Sequence, residues 1–529
     1  MLLLLAACTP KTEPIGPGTL TEGERITCAD PSARDAAPFD VVALPGEIVA
    51  SEPQDDVGQY DGAGVAIDDF DKDGLLDLFL PNTGADQLYL GVTGGLFANA
   101  DDRLPASALD GDRSTGASVA DVDGDGDGDL FIADLGAPQE IWLNDAGRFI
   151  EFDSGVAGEG WHGVGGTFGD YDGDGDLDLF VINHYEGSEL GEGMVTGNMP
   201  PGHPDALYEN DGTGFFTDVS DLLPANLLGP QFSLAAGWYD IDGDDVPELY
   251  VVNDFGSYTV PNQMLRWQGE RFEAIPAAAG LDLPLFGMGL GVGDLNDDAI
   301  PDFALPSWDQ LALLVSTGDA WFDHAQVKEY QPTGEDRHVA WGALLVDIDN
   351  DGDLDAPVNF GQLQMPDDIR EQMDALGLGN PLSQRDALYI QEADGSFTES
   401  AEAWGVADAG VGRGGLAVDL DRDGWLDLVK RDVLGPTRVY HARCGEETWL
   451  GIDFESPAVG ARVEVTSGDV TRRRWISAGG EGFASGGPME AHFGLGSAES
   501  VDVRVHWPDG VESWFPGVAT NQRVRISRE

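Results

Sequence analysis

Residues 165–181 read GGTFGDYDGDGDLDLFV. A small, glycine-containing apolar run leads into a nine-residue acidic loop, and a second apolar run leaves it. Short apolar runs bounded by turn residues read as buried strands. Oxygen-bearing side chains stand at loop positions 1, 3, 5 and 9, so alternate residues of a tight loop face one centre. Calcium takes six to eight oxygens at 2.3–2.6 Å, and a position-7 carbonyl and water complete such a shell.

The motif recurs. The other copies are DFDKDGLLD at 69–77, DVDGDGDGD at 121–129, DIDGDDVPE at 240–248, DLNDDAIPD at 294–302, DIDNDGDLD at 347–355 and DLDRDGWLD at 419–427. The expected ligands of the first loop are Asp69, Asp71, Asp73, Leu75 and Asp77, with position 7 acting through its carbonyl. Those of the second are Asp121, Asp123, Asp125, Asp127 and Asp129, and of the third Asp170, Asp172, Asp174, Asp176 and Asp178. The fourth offers Asp240, Asp242, Asp244, Val246 and Glu248, and the fifth Asp294, Asn296, Asp298, Ile300 and Asp302. The sixth offers Asp347, Asp349, Asp351, Asp353 and Asp355, and the seventh Asp419, Asp421, Asp423, Trp425 and Asp427. The fourth and fifth are the weakest copies: one ends in Glu248 behind Pro247, and Asn296 replaces a carboxylate in the other. Glycine fills position 6 in five copies, where the chain must bend sharply. Position 12, a glutamate in EF-hands, is Leu80, Ile132, Val181, Val251, Leu305, Val358 or Lys430. The flanks are strands, not helices, so these are not EF-hands.

Further strand patterns follow each loop, such as EIWLN at 140–144 and GRFIEF at 147–152. Four strands per unit, repeated at roughly 50 residues, predict an all-β fold: a seven-bladed β-propeller with a metal loop between the first two strands of each blade. The seventh unit lacks a fourth strand before Cys444, and PFDVVAL at 38–44 has that strand's pattern. It is expected to close the ring, because an open edge invites aggregation. Closure brings the N-terminal segment beside 437–444, which makes Cys28–Cys444 a disulfide candidate.

The loops and their flanks resemble the FG-GAP/VCBS repeats of integrin-α-type propellers over about 60–444. The resemblance implies a cation in each loop, up to seven structural Ca²⁺ in all. Residues 445–529 carry no metal loop and alternate as amphipathic strands. Trp449-Leu450-Gly451, Gly460-Ala461-Arg462-Val463, HFGLG at 492–496 and VRVHWPDG at 503–510 resemble the ASPIC/UnbV domain, with Gly479, Gly480, Ser485 and Gly486 between. The two together resemble the cartilage acidic protein family and its bacterial relatives, which implies extracellular calcium binding and interaction and no settled reaction. Arg472, Arg473 and Arg474 read as an acid-paired strand face or an anion site.

The chain has 529 residues, 97 acidic against 27 basic, for a net charge of −70. That charge argues against nucleic-acid binding and polybasic membrane binding. MLLLLAAC at 1–8 resembles a bacterial lipoprotein signal with its lipobox, without the basic n-region, and implies lipid on Cys8. The expected organisation is signal 1–8, tether 9–37, propeller 38–444 and ASPIC/UnbV-like domain 445–529. Location is expected in the bacterial cell envelope, lipid-anchored and facing the periplasm or the surface.

Two long insertions, 183–205 and a second holding a short helix at 367–379, are expected on the face opposite the metal loops. Arg113, Trp161, His162, His184, His203, His338 and Arg413 are candidate ligand contacts there. No GxSxG, P-loop or HExxH is present, so no catalytic residue is named. The expected function is a monomeric binding or adhesion module for protein or glycan ligands, with a carbohydrate- or phosphate-active enzyme on the insertion face as the alternative.

Overall fold

The computed structural model describes residues 16–48, 64–82, 84–109, 114–157, 161–185, 196, 198–200, 202–227, 231–318, 322–327, 338–362, 383–455 and 457–528. The signal with Cys8, Arg113, much of the first insertion and the 367–379 segment lie outside them.

The chain is a β-propeller. Its first sheet runs Ala66–Asp68, Asp77–Leu80, Gln87–Val92 and Leu96–Asn99, all antiparallel neighbours. The second runs Ser114–Ala120, Asp129–Asp134, Glu140–Asn144 and Phe149–Phe152. The same meander recurs until, among the described residues, seven such sheets each open on one acidic loop. Second strands have apolar centres because both their faces are covered: DLFIAD and DLFVINH are buried at every position. Fourth strands sit at the rim and are mostly exposed, with one aromatic turned to the core, as Phe149 is in Phe149–Phe152. Successive sheets share cores. Phe79 meets Trp142 edge-on at 5.6 Å, and Tyr171 stacks on Trp238 at 6.3 Å.

The last of these sheets has Gly412–Val418, Asp427–Asp432 and Arg438–Ala442, and Phe39–Val42 pairs antiparallel with Arg438–Ala442 as its fourth strand. Leu416, Val418 and Val439 then pack on Val65, Ile67 and Leu78 of the first sheet, which closes the ring. The Cys28–Cys444 disulfide sits at this seam, with Cα atoms 5.5 Å apart.

The C-terminal module is two four-stranded sheets around one core that includes Val463, Phe493, Trp507 and Ile526. One sheet is Val470–Trp475, Arg462–Ser467, Ser500–His506 and Glu512–Ala519. The other holds Glu490–Gly496, Thr448–Phe454, Gln522–Ser527 and, at its edge, Thr19–Arg25. This corrects the tether expected at 9–37. Residues 19–25 are a strand of the C-terminal module, paired from Thr19↔Ser527 to Arg25↔Gln522. Its composition hid it: TLTEGER is exposed at six of seven positions, so little apolar periodicity remains.

Between the two sheets of the module, the glycine-rich stretch 477–488 leaves it and enters the ring. Gly479 pairs with Thr167, Gly482 with Leu290 and Gly486 with Ala66, so one short segment touches three sheets. Phe483 is fully buried and edge-on to Trp341 at 5.3 Å. The close approach requires glycine in the ring. A Cβ on Gly64 would lie 1.9 Å from the Ala484 carbonyl oxygen, and one on Gly116 2.9 Å from the same oxygen.

Candidate metal centres

The seven loops share one backbone. Position 4 has positive φ in every copy, even as Lys72, Asp297, Asn350 or Arg422, and so does position 6, even as Asp245 or Ala299. These left-handed turns fold the chain so that alternate side chains point inward. The position-5 carboxylate accepts the position-7 amide in all seven loops, at 2.8–3.0 Å. The position-1 carboxylate accepts the position-6 amide, as Asp69 does from Gly74 at 2.8 Å and Asp121 from Gly126 at 3.0 Å.

Position 9 is a staple as well as a candidate ligand. One Asp77 oxygen accepts the Phe70 amide at 3.0 Å and the other the Gly91 amide of the third strand at 2.8 Å. Asp129 does the same for Val122 and Asn144, Asp302 for Leu295 and Ser316, and Asp355 for Ile348 and Gln391. On the opposite face a second set of staples, not read from the sequence, joins second to third strands: Asp86 holds the Asn82 amide, Asp205 that of Asn183 and Asp386 that of Phe360. The signal was a polar residue immediately before each third strand.

Positions 1, 3 and 9 converge. One carboxylate oxygen from each of Asp69, Asp71 and Asp77 lies within 4.8 Å of the others, and the same holds for Asp121, Asp123 and Asp129, for Asp170, Asp172 and Asp178, and for Asp240, Asp242 and Glu248. In the seventh loop Asp421 and Asp427 converge with His441, which the sequence reading did not include. Several inward oxygens are buried and have no protein partner: Asp71 Oδ1, Asp121 Oδ1, Asp178 Oδ2, Asp419 Oδ1 and both of Asp347. Such atoms are costly unless something satisfies them. Burial pushes the Asp77, Asp129 and Asp178 carboxyls up to about 8 and Asp355 to about 9, with neighbouring carboxylates adding to the rise. Hard oxygen ligands around a buried negative centre fit a divalent cation of the calcium class.

Basic side chains reach some loops. Arg266 Nε lies 2.7 Å from Glu248 and its Nη2 2.5 Å from Asp242. Arg103 Nη1 lies 3.1 Å from the outer oxygen of Asp71, and Lys72 pairs with Asp127 of the next loop. The C-terminal module sits on the metal-loop face. Its Arg473 reaches Asp294 at 3.0 Å, Arg472 the Gly352 carbonyl at 2.7 Å, Arg523 Asp419 at 3.1 Å, and His492 the Asn350 side chain at 2.7 Å. Arg473 also pairs with Glu464 at 3.2 Å, so this arginine strand is acid-paired.

The candidate ligand contacts divide. His162, Tyr185 and His203 gather, with His162 and His203 ring centres 5.0 Å apart and His162 stacked on Tyr185 at 6.1 Å. Trp161 is partly exposed beside them. His184 and Arg413 lie inside the fold. His184 is buried 3.7 Å from Asp254 and 5.4 Å from the Phe232 ring. Arg413 is buried with its guanidinium 3.9 Å over the Trp341 ring, and it donates to the Gly412 carbonyl at 2.9 Å. His338 lies by Phe360, ring centres 6.1 Å apart.

The ASPIC and UnbV family profile matches residues 453–529, and the FG-GAP-like repeat profile matches 69–132 and 121–181. Cartilage acidic protein 1 of Homo sapiens is 26% identical over 332 residues, covering 58% of this chain and 46% of its own length. That of Mus musculus is also 26% identical over 332 residues, covering 58% and 47%. The chain thus spans about half the length of the curated relatives it matches. Among solved structures, an Agrocybe aegerita lectin described as recognising non-reducing terminal N-acetylglucosamine aligns with a TM-score of 0.41, 15% identity, and coverage of 68% of this chain and 88% of its own. Saccharomyces cerevisiae Sqt1 aligns with a TM-score of 0.39, 10% identity, and coverage of 90% and 100%. The chain carries FG-GAP-like repeats and a C-terminal ASPIC/UnbV domain and is similar over 58% of its length to cartilage acidic protein 1, which is what the sequence resemblance implied.

Proposed function

We propose that the protein is a calcium-binding, membrane-tethered, extracytoplasmic propeller that works as a binding or adhesion module for protein or glycan ligands. The observation that carries the calcium reading is the set of buried, unpartnered carboxylate oxygens at the convergent loop positions. The ions hold loops rather than perform chemistry. Removing them leaves clustered carboxylates repelling one another in a medium less polar than water.

The Cys28–Cys444 disulfide supports a location outside the cytoplasm. Among the described residues no helix is long and apolar enough to cross a membrane, and the tether in this reading is the Cys8 lipid.

Because the C-terminal module covers part of the metal-loop face, the reading puts ligands on the opposite face. There a run of rings joins neighbouring sheets. Phe232 meets Phe255 at 5.3 Å, Phe255 meets Phe286 at 5.7 Å, and Phe286 stacks on Trp308 at 4.7 Å, with Tyr258 exposed beside them. Phe232 and Phe255 are buried behind the partly exposed Phe286 and Trp308, and such exposed rings suit sugar faces and protein hot spots alike.

Thermal melts with calcium and with chelator test the metal part. A large fall in melting temperature on chelation is expected, and an unchanged melt would sink it. Binding to a glycan and protein array by the intact chain and by Trp308→Ala tests the ligand part. Equal signals from both would remove the aromatic run from the site.

A further inference from the structure

We propose that the seven loops are of two kinds: the first, second, third and sixth each hold a calcium ion, whereas the fourth, fifth and seventh are held by the protein's own side chains in place of one. The proposal rests on the calcium reading above and narrows it.

In the fourth loop Arg266 spans the site. It stands on the third strand, one residue beyond the Leu249↔Leu265 pair, and bonds both the third-position Asp242 and the ninth-position Glu248. His441 stands at the equivalent place of the last sheet, one residue beyond Leu428↔Tyr440. Its Nδ1 lies 2.9 Å from Asp427 and its Nε2 3.2 Å from Asp421, so the ring fills the gap between positions 3 and 9. Position 1 of that loop, Asp419, is taken on one oxygen by Arg523 at 3.1 Å and the Gly424 amide at 3.0 Å. The other five sheets carry Leu90, Leu143, Glu209, Val315 and Ile390 there, none of them a cation.

The fifth loop is held from the module. Arg473 Nη1 lies 3.0 Å from Asp294 and 3.2 Å from the Asp297 carbonyl. Position 3 is Asn296, whose amide nitrogen is spent on the Ser316 carbonyl at 2.8 Å and Asp298 at 3.1 Å. A guanidinium this close to a first-position carboxylate both occupies its oxygen and repels a second cation.

The remaining loops lack such a bridge among the described residues. Asp178 and Asp347 are each 1% exposed and keep unpartnered oxygens, Asp347 both of them; Asp419 of the seventh loop keeps one too, but there Arg523 holds the other oxygen. Asp121 keeps one, and Asp71 keeps one despite Arg103 on its other oxygen. Metal and arginine thus divide the same backbone loop between them. The C-terminal module also touches the sixth loop, where Arg472 takes the Gly352 carbonyl rather than a loop carboxylate; on the fifth and seventh loops its arginines bond the first-position carboxylates, stand in for ions and join the module to the ring.

The test counts calcium on the full-length chain, stripped and then saturated, by native mass spectrometry. About four ions per chain supports the proposal; five or more overturns it and leaves the calcium reading intact; none overturns the calcium reading itself. The count is repeated on Arg266→Gln, which should gain about one ion by releasing Asp242 and Glu248. A folded Arg266→Gln chain with an unchanged count overturns the assignment of the fourth loop. If that variant does not fold, the wild-type count decides.

Discussion

Asp129 and Asp123 belong to one loop and do different work. Asp129 is buried and takes two backbone amides, from Val122 at 2.9 Å and Asn144 at 2.8 Å. Asp123 is partly exposed and accepts only the Asp125 amide at 3.2 Å. Losing Asp129 strands two buried donors, each worth about 1–3 kcal/mol. Asp129→Ala is therefore expected to destabilise the chain by about 2–5 kcal/mol with or without calcium. Asp123→Ala is expected to matter only when calcium is present. Urea melts of both variants in chelator check this; equal losses in chelator would mean that Asp129 is no staple. The inward convergence of positions 1, 3 and 9 was legible in the repeat. The stapling was not, because the spacing of acids does not reveal which amides approach them once strands pair.

The stretch 477–488 shows the same limit at the scale of an element. Its glycines and serines match a family pattern, yet nothing in their order says that they enter another domain. Phe483 is the anchor, buried with Trp341, Met288 and Leu234 in one core. Truncating a buried phenylalanine costs about 3–5 kcal/mol. Phe483→Ala is expected to lose about that much and to shift the Trp emission of the ring as well as of the module. A change confined to the module would show that the segment is not a plug. The Thr19–Arg25 strand gives a second element-scale expectation. It covers the edge of Gln522–Ser527, so a chain beginning after Ile26 leaves that edge bare. Light scattering should then show self-association, as unpaired edges promote. A monodisperse truncated chain would mean the edge needs no cover.

Charge dominates at the scale of the whole molecule. In the metal-free chain, of net charge −70, burial pushes the ninth-position carboxyls of Asp77, Asp129, Asp178 and Asp355 to about 8 or 9, against an ordinary value near 4. Between those values the folded chain binds more protons than the unfolded one, so stability of the metal-stripped protein rises as pH falls from about 8 toward 5. Relief of general repulsion acts in the same direction. With calcium bound the sign reverses, because protons compete with the ion for the same oxygens. Melting temperatures of the stripped and saturated chains should therefore approach each other on acidification. A stripped chain that loses stability over that range would show that the loop carboxyls are charged in the fold.

The sequence by itself determined the repeat, the four-strand unit, the pairing of 38–44 across the ring's seam and the ring of acidic loops. Each of these follows from local periodicity and from residue types at fixed offsets, which survive in one dimension. The tertiary structure alone decided that Thr19–Arg25 belongs to the C-terminal module, that 477–488 enters the ring, that Arg413 and His184 are interior, and that Arg266, His441, Arg473 and Arg523 reach the loops. In three of those four contacts, residues 14 to 179 positions apart in the chain meet across a strand pair or a domain interface, and Arg523 meets Asp419 at a separation of 104. Which cation neutralises a buried carboxylate depends on what lies within about 3 Å of it, a distance that sequence separation does not encode.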